Sequence, residues 1–164
     1  MEKINVYIEL CREGVEIPRY ANIFDAGMDV CAAVDAVIEP GETIIIPAGF
    51  KLAIPEGFEI QVRPRSGLSF KTPLRLSNSP GTIDSGYRDE VGILMTNTSD
   101  KEDKEIILPL SSSGNKSGTY DIKKGDRIAQ LVLARVPQIE FIKIEDVRTI
   151  GTDRGGGFGS TGVK

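Results

Sequence analysis

Residues 81–90 read Gly-Thr-Ile-Asp-Ser-Gly-Tyr-Arg-Asp-Glu, and this stretch concentrates the chemistry of the chain. Asp84 follows the apolar Ile83, Ser85-Gly86 is a turn dipeptide, and Tyr87 and Arg88 come directly after it. A Ser-Gly pair between two short extended runs predicts a hairpin. Such a turn presents a carboxylate on one side and an aromatic ring on the other, which suits a small pocket holding a flat ring and a water. The same residues are compatible with a plain surface hairpin closed by an Asx-type turn, so the rest of the chain must decide.

Four other segments carry residues of the same kind. Arg63-Pro64-Arg65-Ser66-Gly67-Leu68 sets two arginines, a hydroxyl and a glycine at a strand end. Arginine offers a bidentate fork and glycine lets backbone N–H groups approach an anion, so this is a candidate phosphate cradle; an edge-strand end with solvated arginines is the alternative. Gly125-Asp126-Arg127-Ile128-Ala129-Gln130-Leu131 enters an apolar run in which Gln130 is the odd residue. An amide there needs partners, either backbone groups or a ligand, and Asp126 and Arg127 suit an ordinary ion pair. Ala26-Gly27-Met28-Asp29-Val30 places an acid on a short strand, near a metal-bound water or capping a turn. Last comes Arg154-Gly155-Gly156-Gly157-Phe158-Gly159-Ser160-Thr161-Gly162. Residues 157–162 match the dinucleotide fingerprint in letters only, since two residues follow and no helix can start there. A mobile arm fits better, with Arg154 as a charge, Phe158 as a stacking face and the glycines as backbone donors; an inert terminus is the alternative.

Composition narrows the chemistry. The chain has 164 residues, 40% hydrophobic and 27% charged, which predicts one soluble domain with a real core. A net charge of −4 argues against nucleic acid or an anionic membrane as partner, so an anionic ligand needs a local basic cluster or a metal ion. There is no histidine, which excludes a Ser-His-Asp or Cys-His nucleophile and leaves carboxylates, hydroxyls, arginines and a hard ion such as Mg²⁺. Cys11 and Cys31 fit neither a metal pattern nor a disulfide framework and are expected to be buried thiols in a reducing compartment. The opening ten residues alternate apolar and polar rather than forming a basic start and an apolar run, so a cytoplasmic location is expected.

The elements that must position these residues read as strands. Ile4, Val6, Ile8 and Leu10 alternate with polar residues; residues 43–46, 50–54 and 58–63 follow, separated by Pro/Gly turns that predict two successive hairpins. Further short strands are expected at 26–30, 74–76, 91–96, 106–108, 120–122 and 128–136, with 139–144 closing the sheet and a helical turn near 66–70. Many short strands punctuated by Gly and Pro predict an all-β fold, a jelly-roll-like barrel or sandwich. The expected organisation is a β domain over 1–150, with a polar, flexible insert at about 100–119, and a mobile Gly-rich arm over 151–164.

The five segments, in this order, resemble the five motifs of the trimeric deoxyuridine triphosphate nucleotidohydrolases (dUTPases). The resemblance implies a Mg²⁺-dependent hydrolase that converts dUTP to dUMP and pyrophosphate, thereby limiting uracil incorporation into DNA and supplying dUMP. It implies a jelly-roll homotrimer with shared active sites. By that likeness Asp84 activates the attacking water, Arg154 acts as an arginine finger, and Phe158 stacks over uracil with Gly159 and Ser160 beside it. Arg65, Ser66, Gly67 and Gln130 match the phosphate-binding positions, and Asp29 the acid that holds a Mg²⁺-bound water. Asn78, Gly81, Thr82 and Ile83 match the segment that reads the base, and Tyr87 packs on the deoxyribose. Asp89 departs from the usual glycine, and the stretch 100–118 is longer than the family's connection. Two other readings stay open: a related dCTP deaminase-like enzyme, and a binding module without catalysis.

Overall fold

The structure is a computed structural model, and it describes residues 2–156. Its twelve strands are β1 (Tyr7–Leu10), β2 (Met28–Cys31), β3 (Ala36–Ile38), β4 (Thr43–Pro47), β5 (Phe50–Ala53), β6 (Phe58–Arg63), β7 (Leu74–Leu76), β8 (Gly81–Ile83), β9 (Gly92–Asn97), β10 (Ile107–Pro109), β11 (Thr119–Ile122) and β12 (Arg127–Arg135). One helix, α1 (Ser66–Lys71), and short 3-10 turns at Lys101–Asp103 and Val147–Thr149 complete the described elements. The expected all-β jelly-roll-like class is what the chain adopts.

Strand positions follow the period-2 patterns, but the pairings are not the local ones the turns predicted. Four sheets form, in the orders β1-β5, β10-β11-β3, β2-β12-β6-β8 and β4-β9-β7. No neighbouring strands from β3 to β9 pair with one another as a hairpin; β4 pairs with β9, β5 with β1, and β8 with β6. The Pro/Gly turns redirect the chain from one sheet to another instead of folding it back on itself. Gly49 shows why glycine is needed at one such corner. Its φ is +80°, and a Cβ there would lie 2.4 Å from Val15 Cγ2 and 2.9 Å from Ala33 Cβ.

The core lies between the sheets and is filled by the inward positions: Ile46, Ile60, Val62, Ile93, Met95, Ile122, Ile128 and Leu131, with Phe50 and Tyr120 as its aromatic members. β9 shows the logic, since its residues alternate half-buried and buried along the whole strand. Asn97, fully buried, donates to the carbonyls of Ile38 (2.9 Å) and Gly118 (2.8 Å), and so joins β9 to β3 and to the start of β11.

Two further expectations are corrected. Residues 139–144 form no strand, and Ile139, Phe141 and Ile142 are exposed; β12, the strand before them, already has β2 and β6 on its two edges. Both cysteines are exposed rather than buried, since each stands on the outer side of its strand or just beyond it. The short strand expected at 106–108 is present as β10, at 107–109, and runs parallel to β11. The following loop is tied back by Asn115 N–H to Lys71 O (2.8 Å) and Tyr120 Oη to Lys116 O (2.8 Å).

Candidate active site

The four-stranded sheet β2-β12-β6-β8 gathers segments that are far apart in sequence. Its register sets Asp29 opposite Gln130 and Gln130 opposite Arg63, so the three share one row and one face. The chain turns at Pro64 as it leaves β6, and Arg65 reaches back to Asp29: Nε donates to Oδ1 at 2.8 Å and Nη2 to Oδ2 at 3.3 Å. Arg127 Nη1 lies 3.3 Å from the same Oδ2. The register of β12 slips between Arg127 and Ala129, and such a bulge re-aims side chains. Arg127 therefore pairs with Asp29 and not with its neighbour Asp126, whose carboxylate accepts from Lys123 N–H at 2.9 Å.

Gln130 donates through Nε2 to Pro64 O at 2.9 Å, so its amide is satisfied by backbone. Arg63 is held by Gln61, with Nη2 donating to Oε1 at 2.6 Å. One carboxylate, Asp29, is thus paired with two guanidiniums, those of Arg65 and Arg127. This local positive excess, within an acidic chain, suits a polyanion. Ser66 and Gly67 open α1 immediately after Arg65 and are exposed; a Cβ at Gly67 would meet nothing within 4 Å.

At the free edge of the sheet, β8 borders a cavity of about 180 Å³ lined by Asn78, Gly81, Thr82, Ile83 and Tyr87, together with Val62 and Leu76. Gly81 faces Val62 across the ladder, and a Cβ on it would lie 3.1 Å from Asn78 Nδ2, so glycine leaves room for that amide. Asp84 follows β8 directly and is exposed. Tyr87 N–H donates to Asp84 O at 3.1 Å, and Tyr87 Oη donates to Glu90 O at 2.9 Å. The turn predicted at Ser85-Gly86 is therefore present, although β8 pairs with β6 and the segment is not a two-stranded hairpin.

The structure thus assembles two neighbouring groups: Asp29, Arg65 and Gln130 in the row, and Asn78, Gly81, Thr82, Ile83 and Tyr87 around the edge cavity. Arg154 is exposed and makes no side-chain hydrogen bond or ion pair to either group among the described residues. Phe158, Gly159 and Ser160 lie outside the described residues. Sequence offers Asp126 as the partner of Arg127; the actual partner, Asp29, is 98 positions away and leaves no local signal.

The dUTPase family model matches residues 13–106 and 111–162. The chain belongs to the dUTPase family. The unmatched residues 107–110 fall within the stretch read as an insert, and three of them form β10. The chain is 41% identical over 165 residues to the deoxyuridine 5'-triphosphate nucleotidohydrolase of Fusobacterium nucleatum, covering 99% of each. It is 47% identical over 154 residues to the protein of the same name from Desulfotalea psychrophila, covering 92% of this chain and 90% of that one. Among solved structures, a mutant dUTPase of Staphylococcus bacteriophage 80alpha with dUpNHpp superposes with a TM-score of 0.84 at 29% identity, covering 98% of this chain and 100% of that chain. A mutant dUTPase of phage phi11 of S. aureus, described as coordinating a structural Mg(II) ion, gives 0.79 at 28% identity, covering 88% and 99%.

As a dUTPase-family chain it has no helix, among the described residues, long and apolar enough to cross a membrane. No group of three or more acids, cysteines or histidines that could hold a metal ion occurs there either.

Proposed function

We propose that this chain hydrolyses dUTP to dUMP and pyrophosphate by attack of water on the α-phosphorus. The observation that carries the reading is the shared sheet: the Asp29–Gln130–Arg63 row, with Arg65 on Asp29, lies in the same four strands as the edge cavity that leads into Asp84. Membership of the dUTPase family supports it.

In this reading the cavity of Asn78, Gly81, Thr82 and Ile83 takes uracil, and backbone groups of the strand edge read its polar rim. Tyr87 walls the deoxyribose and leaves no space for a 2′-hydroxyl; a site of this kind rejects an analogue that clashes or strands a polar group. Arg65, Ser66, Gly67 and Gln130 bind the phosphates. Asp84 orients the water and accepts its proton. Arg154 brings charge to the outer phosphate, and Phe158, Gly159 and Ser160 close over the nucleotide, which excludes bulk water.

Asp29 is the single acid of the row and is paired with two arginines. Such a donor set fits a Mg²⁺ carried by phosphate oxygens and waters, with Asp29 bonding to one of those waters. When bound, the ion supplies charge neutralisation for the triphosphate. We further propose a cytoplasmic homotrimer with shared active sites that acts on a nucleotide and not on nucleic acid or membrane.

The test is incubation with Mg²⁺ and each deoxynucleoside triphosphate in turn, with pyrophosphate as readout. Pyrophosphate from dUTP alone, with label from heavy-oxygen water in dUMP, is the expected result. Label in pyrophosphate would place the attack at another phosphorus. Ammonia release from dCTP would favour the deaminase reading, and binding without turnover the binding module.

A further inference from the structure

We infer that Arg12 and Glu90 form a clamp that fixes Tyr87 at the edge cavity and so sets the preference for deoxyribose over ribose; this rests on the reading of Tyr87 as the wall of the sugar slot. Tyr87 is partly exposed, so packing alone does not hold its ring. Its hydroxyl is held by one bond, to the main-chain carbonyl of Glu90. Where that carbonyl sits decides where the ring stands.

Glu90 is held at both ends. Its carboxylate receives Arg12 Nε and Nη2, the latter at 2.7 Å, and Gly49 N–H at 3.0 Å. The next residue is stitched to the sheet: Val91 N–H donates to Phe50 O at 2.9 Å, and Val91 O accepts from Ala48 N–H at 2.8 Å. Arg12 is itself aimed by the β1-β5 ribbon, in which Leu10 pairs with Phe50 and Cys11 N–H donates to Gly49 O at 2.9 Å. An isolated exposed ion pair contributes little. This one is a bidentate fork joined by a backbone donor, so its geometry is fixed as well as its charge. The guanidinium holds the Glu90 carboxyl below its ordinary range, consistent with the pair's being made.

Arg12 does not line the cavity, so it is a positioning residue that acts through Glu90. The experiment measures kcat/KM for dUTP and for UTP. Arg12→Ala is expected to lower the dUTP-over-UTP ratio about three- to tenfold, the effect of losing one net hydrogen bond's worth of order. Most of the change for dUTP falls on KM, because Asp84 is untouched. Arg12→Lys recovers only part, since an ammonium cannot form the fork. Tyr87→Phe lowers the ratio alone, and Arg12→Ala added to it brings no further loss. An unchanged ratio in Arg12→Ala, with only a lower melting temperature, overturns the inference, as does full additivity with Tyr87→Phe. Should Arg12→Ala not fold, Glu90→Gln carries the same expectation and Arg12→Lys a smaller loss of the ratio, and an unchanged ratio in both overturns it. A wild-type protein with no preference for dUTP over UTP sinks the functional reading itself, whereas a preference that survives in every clamp variant sinks the clamp alone.

Discussion

The side-chain amide of Gln130 donates to the carbonyl of Pro64 at 2.9 Å, while its oxygen faces Gly27 so closely that a Cβ there would lie 2.6 Å away. Glycine at 27 is therefore what lets Gln130 sit in the row. In Gly27→Ala the amide, the far end of a flexible side chain, swings off Pro64 before any backbone moves. Stability should change by about 1 kcal/mol or less, while KM for dUTP rises severalfold. Melting curves and steady-state kinetics check the pair; a large stability loss with normal KM would contradict it.

Asp84→Asn keeps the size of the side chain but removes its basicity. Calorimetric titration should still show dUTP binding, with turnover down by about 10²–10⁴-fold. A variant that turns over like the wild type would remove Asp84 from the role of base.

Ending the chain after Ile150 tests the arm. Residues 151–156 are exposed and join no strand, so the melting transition should be nearly unchanged. Loss of Arg154 and of the residues after it should lower kcat by about 10²-fold or more, since an arginine acting on phosphate charge contributes at least that much. Full activity in the shortened chain would show the arm to be idle.

Acid should weaken the clamp in a defined window. The hydrogen bond from Arg12 is the main cause of the lowered Glu90 carboxyl, with Gly49 N–H and the Cys11 thiol adding to it against an opposing effect of burial. On acidification the unfolded chain takes up the proton first, so the stabilisation is present above about pH 4.3 and is lost as pH falls through the lowered value. The stability gap between wild type and Glu90→Gln, followed by urea unfolding, should be constant from neutrality to that point and then close. A gap that stays open at pH 2 would show that the carboxylate charge is not its source.

Asn97 has no exposed surface, and its side chain serves two carbonyls and the N–H of Ser99. Asn97→Ala strands those groups, at a cost of about 2–3 kcal/mol. Urea midpoints should fall with the slope unchanged; a loss below half that figure would mean that water replaces the amide.

Much of this architecture is legible in the chain itself. Period-2 alternation marks which residues face inward, as it does for Ile60 and Val62. The motif residues cluster in order, so Asp84, Tyr87, Arg65 and Gln130 could be singled out. Partners could not. Alternation says which face a strand buries but not which strand lies beside it, and the Pro/Gly turns that suggested hairpins serve here as corners between sheets. The pairs Arg65–Asp29, Arg127–Asp29 and Arg12–Glu90 join residues 36, 98 and 78 positions apart, and such pairs leave no local signal. The 139–144 run is mixed in character and forms no strand, and β12 before it has no free edge to offer.

The place of β12 in its sheet has a consequence for biosynthesis. β2 and β6 are not paired with each other; each is hydrogen-bonded to β12, which is made long after both. Until residue 135 has left the ribosome, Asp29 and Arg63 lack the strand that sets them in one row, and the flanks of β2 and β6 that β12 will cover stay bare. Maturation of this enzyme is therefore gated by a late-arriving strand, and a stalled nascent chain is both catalytically blank and prone to sticking to its neighbours.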